Sequence, residues 1–359
     1  MLRRFLPYAV FALALTLYIS TLHPHVGFTD AGELAGACVS LGVAHPTGYP
    51  LFVLLGHAWL QIPLGLPPVT QMNLFAAVCT AAASTLMYLL LKLMLEWWDE
   101  ALVVDRSAKK SADIKRASSS RKKSADSVPL GSASAVDGIS SPPQRQSWQH
   151  AILSGSGALC FATARTVWEQ ATGIEVYSLH LLLMMLTLYF FLKGIRLSSL
   201  KWMYGAAVWM GMAFANHLTT ILLVIPFIYL FFHRPGVSWS LSPQRRRSFF
   251  ILLSIILPFS LFYAWLPLLS SARPLFNWGE VHRSWDVFSY HVFGKQYSIW
   301  MFSDEPGAVR KQFSLFFSLL PHNLAFVGLV TSLAGIVLLF RAKSLRALGV
   351  FFALLVVCG

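Results

Sequence analysis

Residues 29–50 have the sequence TDAGELAGACVSLGVAHPTGYP, a polar, acid-bearing segment inside the most apolar part of the chain. From Phe5 to Leu91 there is no Lys or Arg, and Asp30 and Glu33 are the only carboxylates. A long apolar region without charges predicts membrane-spanning helices, and ionisable groups at membrane depth are costly unless they serve a function. The segment therefore predicts a polar site at a membrane surface, built around two acids three residues apart.

The composition of the whole chain supports the same class of protein. Of the 359 residues, 56% are apolar and only 12% are charged, and the mean hydropathy is +0.61. Soluble domains carry about 25% charged residues, and the apolar runs recur at the length of about 20 residues that spanning helices require. The four cysteines are scattered, so no disulfide framework is indicated. We therefore predict an all-α polytopic membrane protein.

The distribution of positive charge predicts the topology. Ten apolar runs are present, but if all of them crossed the membrane, the Lys- and Arg-rich segment 99–149 would lie opposite Arg3 and Arg4. Positively charged loops collect on the cytoplasmic side. The conflict disappears if the short run 50–66 is a re-entrant or interfacial helix on the outer face. With that change 22 of the 28 Lys and Arg are cytoplasmic, so the net charge of +13 follows from topology and does not indicate nucleic acid.

The chain divides into three parts on this interpretation. Residues 1–98 contain the first two spans, the outer loop 23–50 and the interfacial helix. Residues 99–149, rich in Ser, Ala and Lys with few aromatic side chains, are predicted to be a disordered cytoplasmic loop. Residues 150–359 contain the remaining spans and a long outer loop at 270–312. Because the sequence stops inside an apolar run, we expect the chain to be truncated at its C-terminus.

Four polar segments meet on the predicted outer face, and their side chains suit transfer of a group from a lipid-linked substrate. A carboxylate can deprotonate a hydroxyl nucleophile, and Arg, Lys or His can stabilise a leaving phosphate. Interfacial aromatic rings can hold a lipid chain or stack on a sugar. The candidate catalytic residues are Asp30 and Glu33. The candidate substrate-binding residues are His45, Tyr49, Glu175, His217, Arg273, Asn277, Trp278, His291 and Lys295.

Six blocks of sequence occur together and in a fixed order: TDAGELAGACVSLGVAHPTGYPLFVLLG, NLFAAVCTA, VWEQATGIEVYSL, ANHLT, LPLLSSARPLFNWGE and HVFGKQY. Together they resemble the membrane family known as domain of unknown function 2723, which contains the transmembrane protein 260 type of protein O-mannosyltransferase. The resemblance covers nearly the whole chain except the insert at 99–149.

The resemblance implies a C-type (GT-C) glycosyltransferase, a helical bundle with a partly embedded helix after the first outer loop. Such enzymes take a polyprenyl- or dolichyl-phosphate sugar as donor and act on the lumenal or periplasmic face. They place a catalytic Asp or Glu in the first outer loop, where Asp30 stands here. Mannose as the sugar follows from the eukaryotic relative, and we predict Ser or Thr of a protein as acceptor. Arg273, helped by Lys295 or His291, is the predicted partner of the leaving phosphate.

Some of these residues also have a purely structural interpretation. Asp30 could be the N-cap of the following helix, with Glu33 completing a capping box. His45 could simply be a polar residue that precedes the next helix. Tyr49 could anchor the chain at the membrane interface, and Lys295 could be a solvated charge in a loop. The sequence leaves these alternatives open.

A metal site is a further alternative. Asp30, Glu33 and His45 are oxygen and nitrogen donors that suit Mg, Mn or Zn. Nothing in their spacing is diagnostic, so we predict no metal and no other cofactor besides the lipid-linked donor.

Two rival functions fit the composition. A polytopic transporter or lipid flippase would use the acids to bind an ion or proton, but the sequence has no internal repeat and no paired broken helices. A non-catalytic assembly factor would explain the high apolar content of the chain. It would give no role to the acids of the first outer loop. For the membrane itself we predict either a bacterial inner membrane, which the short loops favour, or the endoplasmic reticulum.

Overall fold

The computed structural model describes residues 4–27, 30–121, 144–236, 240–298 and 306–358. These residues are almost entirely helical, and their single β-type pairing is a bridge between Val43 and Asn277. The α-helices are α1 (Leu6–Ser20), α2 (Ala31–Ser40), α3 (Pro50–Leu60), α4 (Pro68–Arg121), α5 (Gln144–Ala162), α6 (Arg165–Thr172), α7 (Val176–Arg196), α8 (Leu200–Asn216), α9 (Val224–Phe232), α10 (Pro243–Ile256), α11 (Leu261–Ser271), α12 (Trp285–Val292), α13 (Pro306–Arg341) and α14 (Arg346–Cys358).

Three helical stretches are long and apolar enough to cross a membrane. They are the Pro68–Ile114 part of α4, α7, and the run Pro243–Ser271 that joins α10 to α11 through a 3-10 turn. Shorter apolar helices include α1, α3 and α9 with its preceding 3-10 turn. The predicted all-α class and its membrane-type helices are therefore confirmed. The number of spans and their sidedness stay predictions.

The predicted interfacial helix corresponds to α3. It has 11 residues and begins at Pro50, a residue suited to the first helical turn. At 1.5 Å per residue it is about 16 Å long, roughly half of the hydrocarbon thickness of about 30 Å. Its length therefore agrees with a helix that does not span, and its position relative to a membrane stays a prediction.

Two predicted boundaries are wrong. Helix α4 continues to Arg121, so the first part of the 99–149 segment is helical and not a disordered loop. Residues 99–121 contain no Gly or Pro and are rich in Ala, Lys and Arg, whose high helix propensity lets α4 continue; residues 122–143 lie outside the described ranges. The predicted outer loop 270–312 contains α12 and ends earlier, because α13 begins at Pro306.

The helices place the predicted outer segments at one end of the molecule. Helices α7 and α8 pack side by side and run in opposite directions, so the start of α7 lies near the end of α8. At the far end of α7, Arg196 donates to Glu96 of α4 at 2.9 Å and to Glu100 at 2.7 Å. The 21 residues of α7 separate the two ends by about 31 Å, which matches the thickness that the predicted topology requires.

Tight packing between α2 and α3 orients the acidic segment. Leu34 and Cys38, one turn apart on α2, are fully buried against α3. A methyl group on Gly56 of α3 would lie only 2.5 Å from the Cys38 sulfur, so the two helices approach as closely as a glycine permits. Because this face of α2 is fixed in the core, Asp30 and Glu33 at its start are held next to the 43–49 turn.

Residues 272–298, here called the covering loop, dock onto that turn through the backbone. The N–H of Val43 donates to the carbonyl of Phe276 at 2.9 Å, and the N–H of Trp278 donates to the carbonyl of Val43 at 3.0 Å. A Cβ atom on Gly36 would lie 2.0 Å from the Phe276 ring, and one on Gly42 would lie 2.2 Å from its carbonyl oxygen. Two glycines therefore make room for the covering loop.

Candidate active site

A carboxylate–imidazole pair forms the centre of the site. The backbone N–H of His45 donates to Glu33 Oε1 at 2.6 Å, and the ring Nδ1 lies 3.2 Å from the same oxygen. A carboxylate only accepts hydrogen bonds, so we assign a proton to Nδ1. Burial opposes both charges, but the hydrogen bonds and charges of the partners outweigh it, lowering the pKa of Glu33 and raising that of His45. The pair is therefore ionic, with Glu33 fixing the orientation of the imidazole.

Asp30 is a second carboxylate next to the same imidazole. Its Oδ2 lies 3.7 Å from His45 Nε2, on the side of the ring away from Glu33. The Asp30 side chain is 42% exposed, whereas Glu33 is 18% exposed. A carboxylate that is accessible and adjacent to an imidazolium can accept a proton from an incoming hydroxyl group.

The capping alternative for these acids does not occur in the structure. Asp30 occupies the N-cap position of α2, but its side chain makes no capping hydrogen bond. Glu33 binds His45 instead of reaching back to the start of the helix. Neither carboxylate makes a capping hydrogen bond at the start of α2, and both lie next to His45.

Aromatic rings form one wall of the site. The Tyr49 hydroxyl lies 3.2 Å from His45 Nε2 and donates to the carbonyl of Pro46. The ring of Tyr49 stacks on His217 with 5.5 Å between centroids, and His217 also contacts Tyr177 at 5.5 Å. Burial and the charge of His45 lower the pKa of His217, so this imidazole is neutral near pH 7. Flat, partly polar rings of this kind suit a sugar.

A third carboxyl group lies near Asp30 and His45. Glu175 is the N-cap residue of α7, and its side chain makes no capping hydrogen bond. Burial, reinforced by the negative charge of Asp30, raises the pKa of Glu175. A carboxyl group with a raised pKa can keep its proton and donate a hydrogen bond. Glu175 is therefore suited to hold a substrate hydroxyl.

The covering loop contributes a buried histidine. His291 is 2% exposed, and its Nε2 atom has no hydrogen-bond partner among the described residues. Burial and the charge of His45 lower the pKa of His291 to about 4, so it is neutral. Its Nε2 lies 3.1 Å from the position that a Cβ atom on Gly48 would occupy. Tyr297 closes the same turn by donating its hydroxyl to the carbonyl of Pro46 at 3.0 Å.

The remaining predicted binding residues lie at the edge of the site. Trp278 is 47% exposed, with its ring centroid 6.3 Å from that of His45. The amide of Asn277 accepts from the Ser270 hydroxyl at 2.7 Å and donates to the Ser270 carbonyl at 3.0 Å. Asn277 therefore holds the shape of the loop, and its role as a substrate ligand stays a prediction.

The two predicted phosphate ligands are both exposed, in different parts of the covering loop. Arg273 lies two residues after the end of α11, and Lys295 is the first residue of the 3-10 turn that ends at Tyr297. Neither is brought next to the acids by a contact in the structure, and their predicted role stays a prediction.

Residues 30–239 match the protein family described as the protein O-mannosyl-transferase TMEM260 N-terminal domain. The chain belongs to this TMEM260 family. Over 299 residues, 80% of its length, it is 26% identical to the protein O-mannosyl-transferase TMEM260 of Mus musculus, of which it covers 34%. Over 46 residues, 13% of its length, it is 48% identical to the corresponding protein of Dictyostelium discoideum, of which it covers 6%. The chain thus spans about a third of the length of its mouse relative, and the predicted resemblance is confirmed.

The TMEM260 match begins at Asp30 and includes Glu33, His45, Glu175 and His217. The covering loop lies outside the matched residues. The acidic and aromatic parts of the site therefore lie in the family's own domain, and the loop that closes over them follows it.

Sequence reasoning missed three residues of this family member's site. Tyr177 and His180 both contact His217, and Tyr297 binds the 46–49 turn. Tyr177 and Tyr297 stand inside sequence blocks already noted, and His180 lies on α7, one turn after Tyr177. A polar ring at the start of an apolar helix was the signal that could have identified Tyr177 and His180.

The donor set of Asp30, Glu33 and His45 also bears on metal binding. One ligand atom from each lies within 4.8 Å of the others. Two ligands of one Mg or Zn ion at about 2.1 Å are at most about 4.2 Å apart, so a small contraction would be needed. Binding an ion through Nδ1 would also break the Glu33–His45 pair, and the absence of a metal stays a prediction.

The Glu33–His45 pair predicts a pH-dependent stability. His45 contributes to the free energy of unfolding below its unfolded pKa of about 6.5. This contribution is lost as pH rises through its raised folded pKa. Glu33 contributes to the free energy of unfolding above its unfolded pKa of about 4.3. This contribution is lost as pH falls through its lowered folded pKa. We expect the thermal midpoint of wild type to exceed that of Glu33→Gln most between these limits, and less as the pH rises through the folded pKa of His45.

The control for this measurement is Glu169→Gln, which breaks the exposed Arg165–Glu169 pair. Exposed pairs contribute about 0–1 kcal/mol, so this variant should differ little from wild type at any pH. A midpoint difference for Glu33→Gln that stays constant from pH 5 to 9 would contradict the ionic pair.

Proposed function

We propose that this chain is the membrane-embedded catalytic part of a C-type protein O-mannosyltransferase. It transfers a sugar, mannose by analogy with its relatives, from a polyprenyl- or dolichyl-phosphate donor to a Ser or Thr hydroxyl of an acceptor protein. The observation that carries the proposal is an accessible carboxylate, Asp30, beside an imidazolium that Glu33 holds in place. Its position at one end of an apolar helical bundle suits a donor that stays in the membrane while the acceptor is in water.

The reaction is a single displacement with inversion at the sugar. Asp30 accepts the proton of the acceptor hydroxyl as its oxygen attacks the anomeric carbon. The bond from that carbon to the phosphate oxygen breaks, and the polyprenyl phosphate leaves with both electrons. General base catalysis of this kind contributes about 10²–10⁴ in rate.

His45 and Glu33 support this step without exchanging atoms with the substrate. The Nε2 atom of His45 lies 3.7 Å from Asp30 Oδ2, so the ring holds the position of that carboxylate. Glu33 fixes that ring through the backbone N–H and through Nδ1. Glu33 is therefore a positioning residue, and Asp30 is the catalytic base.

The remaining contacts bind the sugar and the phosphate. The carboxyl group of Glu175 hydrogen-bonds a sugar hydroxyl, while Tyr49 and His217 offer flat faces to the ring. The exposed side chains of Lys295 and Arg273 stabilise the negative charge that develops on the leaving phosphate.

The test is a transfer assay with the full-length protein in detergent or nanodiscs. Radiolabelled mannosyl-phosphoryl polyprenol is mixed with an acceptor extract, and label on protein is counted after gel separation. Label that is released as free mannose by β-elimination would establish O-linked transfer. If no protein is labelled, a panel of other lipid-linked sugars follows. A folded protein that transfers none of them would contradict the proposal and favour the transporter alternative.

A further inference from the structure

The backbone of His217 is held by hydrogen bonds on both sides. Its N–H donates to the carbonyl of Ala213, in the last turn of α8, at 2.8 Å. Its carbonyl accepts from the hydroxyl of Thr220 at 2.7 Å and from the Thr220 N–H at 3.2 Å. The preceding residue, Asn216, is fully buried and donates to the carbonyl of Val176 at 3.3 Å, which ties the end of α8 to the start of α7. The ring of His217 is therefore attached to a fixed junction between two helices.

Thr219, the last residue of the ANHLT block, determines which ring nitrogen of His217 carries the proton. Its backbone N–H donates to Nδ1 at 3.4 Å, and its hydroxyl oxygen lies 2.7 Å from the same atom. A backbone N–H donates and does not accept, so Nδ1 is an acceptor and carries no proton. The Thr219 hydroxyl then donates to Nδ1 as well. We therefore assign the proton of this neutral imidazole to Nε2.

The Nε2–H group of His217 is a donor that is free to bind a ligand. Within the described part of the chain, the hydrogen bonds of this ring are made by Nδ1. Nε2 is not among the buried atoms that lack a partner, so a ligand can reach it. A donor that is already fixed in position loses little conformational freedom when it binds.

Capping of the following turn does not account for the contact with Thr219. His217 is the N-cap residue of the 3-10 turn Leu218–Leu223, and its side chain accepts from the Thr219 N–H. Such a cap requires an acceptor, which the smaller side chains of Asn, Asp or Ser provide better. The Thr219 hydroxyl adds a second and shorter bond to Nδ1 that the cap does not need. The two bonds together place the proton on the side of the ring away from the turn.

Tyr49 connects this donor to the acidic part of the site. The Tyr49 ring stacks on His217 with 5.5 Å between centroids, and its other neighbour is His45, with 5.1 Å between centroids. His45 in turn lies beside Asp30. A single tyrosine ring therefore lies between the donor and the imidazole next to the proposed base.

We infer that His217 recognises one hydroxyl of the transferred sugar through Nε2–H, and that Thr219 is the positioning residue that keeps the proton on that nitrogen. The inference rests on the proposed function. A sugar hydroxyl accepts the N–H hydrogen bond through its oxygen. An epimer with this hydroxyl on the opposite face would leave the donor unpaired, and a site built for such a bond discriminates strongly against a substrate that cannot make it. His217 is therefore a specificity-determining residue, whereas stacking on aromatic rings alone would accept many sugars.

The first experiment determines the tautomer without any substrate. Full-length protein carrying isotope-labelled histidine is reconstituted in lipid, and its ring nitrogens are observed by solid-state NMR. The His217 resonances are those that disappear in His217→Gln. A proton on Nε2 in wild type that becomes shared between both nitrogens in Thr219→Val supports the inference. A proton on Nδ1 in wild type, or an unchanged spectrum in Thr219→Val, overturns it while the proposed transferase stands.

The second experiment compares variants in the transfer assay. Thr219→Val keeps the shape of the side chain and loses its hydroxyl, while His217→Asn keeps an acceptor for the 3-10 turn and loses the distal N–H. Each should lower kcat/KM about three- to tenfold, the effect of one hydrogen bond, with an unchanged thermal midpoint. Thr219→Ser should restore the wild-type value. The matched control is Thr163→Val, which removes an exposed hydroxyl that donates to the carbonyl of Leu159 at the end of α5.

Donors that each lack one hydroxyl of the mannose identify the hydroxyl that is recognised. For one of these deoxy donors, wild type and Thr219→Val should have the same kcat/KM, because the contact is missing from both. Losses that add for every deoxy donor, or a Thr219→Ser enzyme no better than Thr219→Val, would overturn the inference while transfer by wild type stands. If wild type transfers no lipid-linked sugar at all, the proposed function fails, and this inference fails with it.

Discussion

Asp30→Asn should abolish sugar transfer while the protein remains folded and inserted. The amide has almost the same shape as the carboxylate but cannot accept the hydroxyl proton, so we expect kcat to fall by about 10²–10⁴. The hydrogen bonds of the Glu33–His45 pair remain, because they do not involve Asp30. The measurement is the initial rate of label transfer at saturating donor, with the thermal midpoint recorded on the same preparation.

Asp113→Asn is the matched control for that variant. Asp113 is an exposed aspartate on α4. The same helix reaches the site at Asn73, whose side chain accepts from the N–H of Ile174, next to Glu175. Asp113 lies forty residues further along α4 and is therefore far from the site. Its substitution should leave the rate unchanged. An Asp30→Asn enzyme that keeps more than a tenth of the wild-type rate would remove Asp30 as the base and direct attention to Glu175.

Gly42→Ala should remove most activity by displacing the covering loop. The new methyl group would lie 2.2 Å from the Phe276 carbonyl oxygen, a backbone atom that cannot rotate away. Overpacking of this kind costs about 1–3 kcal/mol. The bonds between Val43 and the loop would weaken, and with them the placement of Trp278 and His291. The checks are the thermal midpoint and the transfer rate.

Gly155→Ala provides the comparison. Nothing lies within 4 Å of a Cβ atom at Gly155, which is inside α5, so this change should leave the protein as stable as wild type or slightly more so. Full activity in Gly42→Ala would show that docking of the covering loop is not needed for transfer.

Much of this arrangement could be predicted from local sequence. Two acids at i and i+3 at the start of a helix must lie on one face, and in a charge-free region they must find a partner or a function. Both occur, since Asp30 and Glu33 flank the same imidazole. Charge parity predicted that one apolar run does not span, and the corresponding helix α3 has only 11 residues.

Other features depend on contacts that no local pattern encodes. Whether Glu33 would cap α2 or bind His45 is decided by the path of the turn, which the docking of Phe276 fixes. Asn277 was placed among the substrate ligands by its position, but its partner Ser270 is set by tertiary structure. The length of α4 was underestimated because a polar, basic composition suggests disorder even where propensity favours a helix.

The bridge between Val43 and Asn277 has a consequence for biosynthesis. It joins two positions far apart in the chain, so the acids are made and inserted long before the residues that cover them. Until translation has passed residue 298, a nascent chain has its carboxylates but not the complete loop that covers them. Contacts of such long range form late and slowly. A mutation that only delays insertion of α10 and α11 would thus leave the acids uncovered for longer without touching any residue of the proposed site.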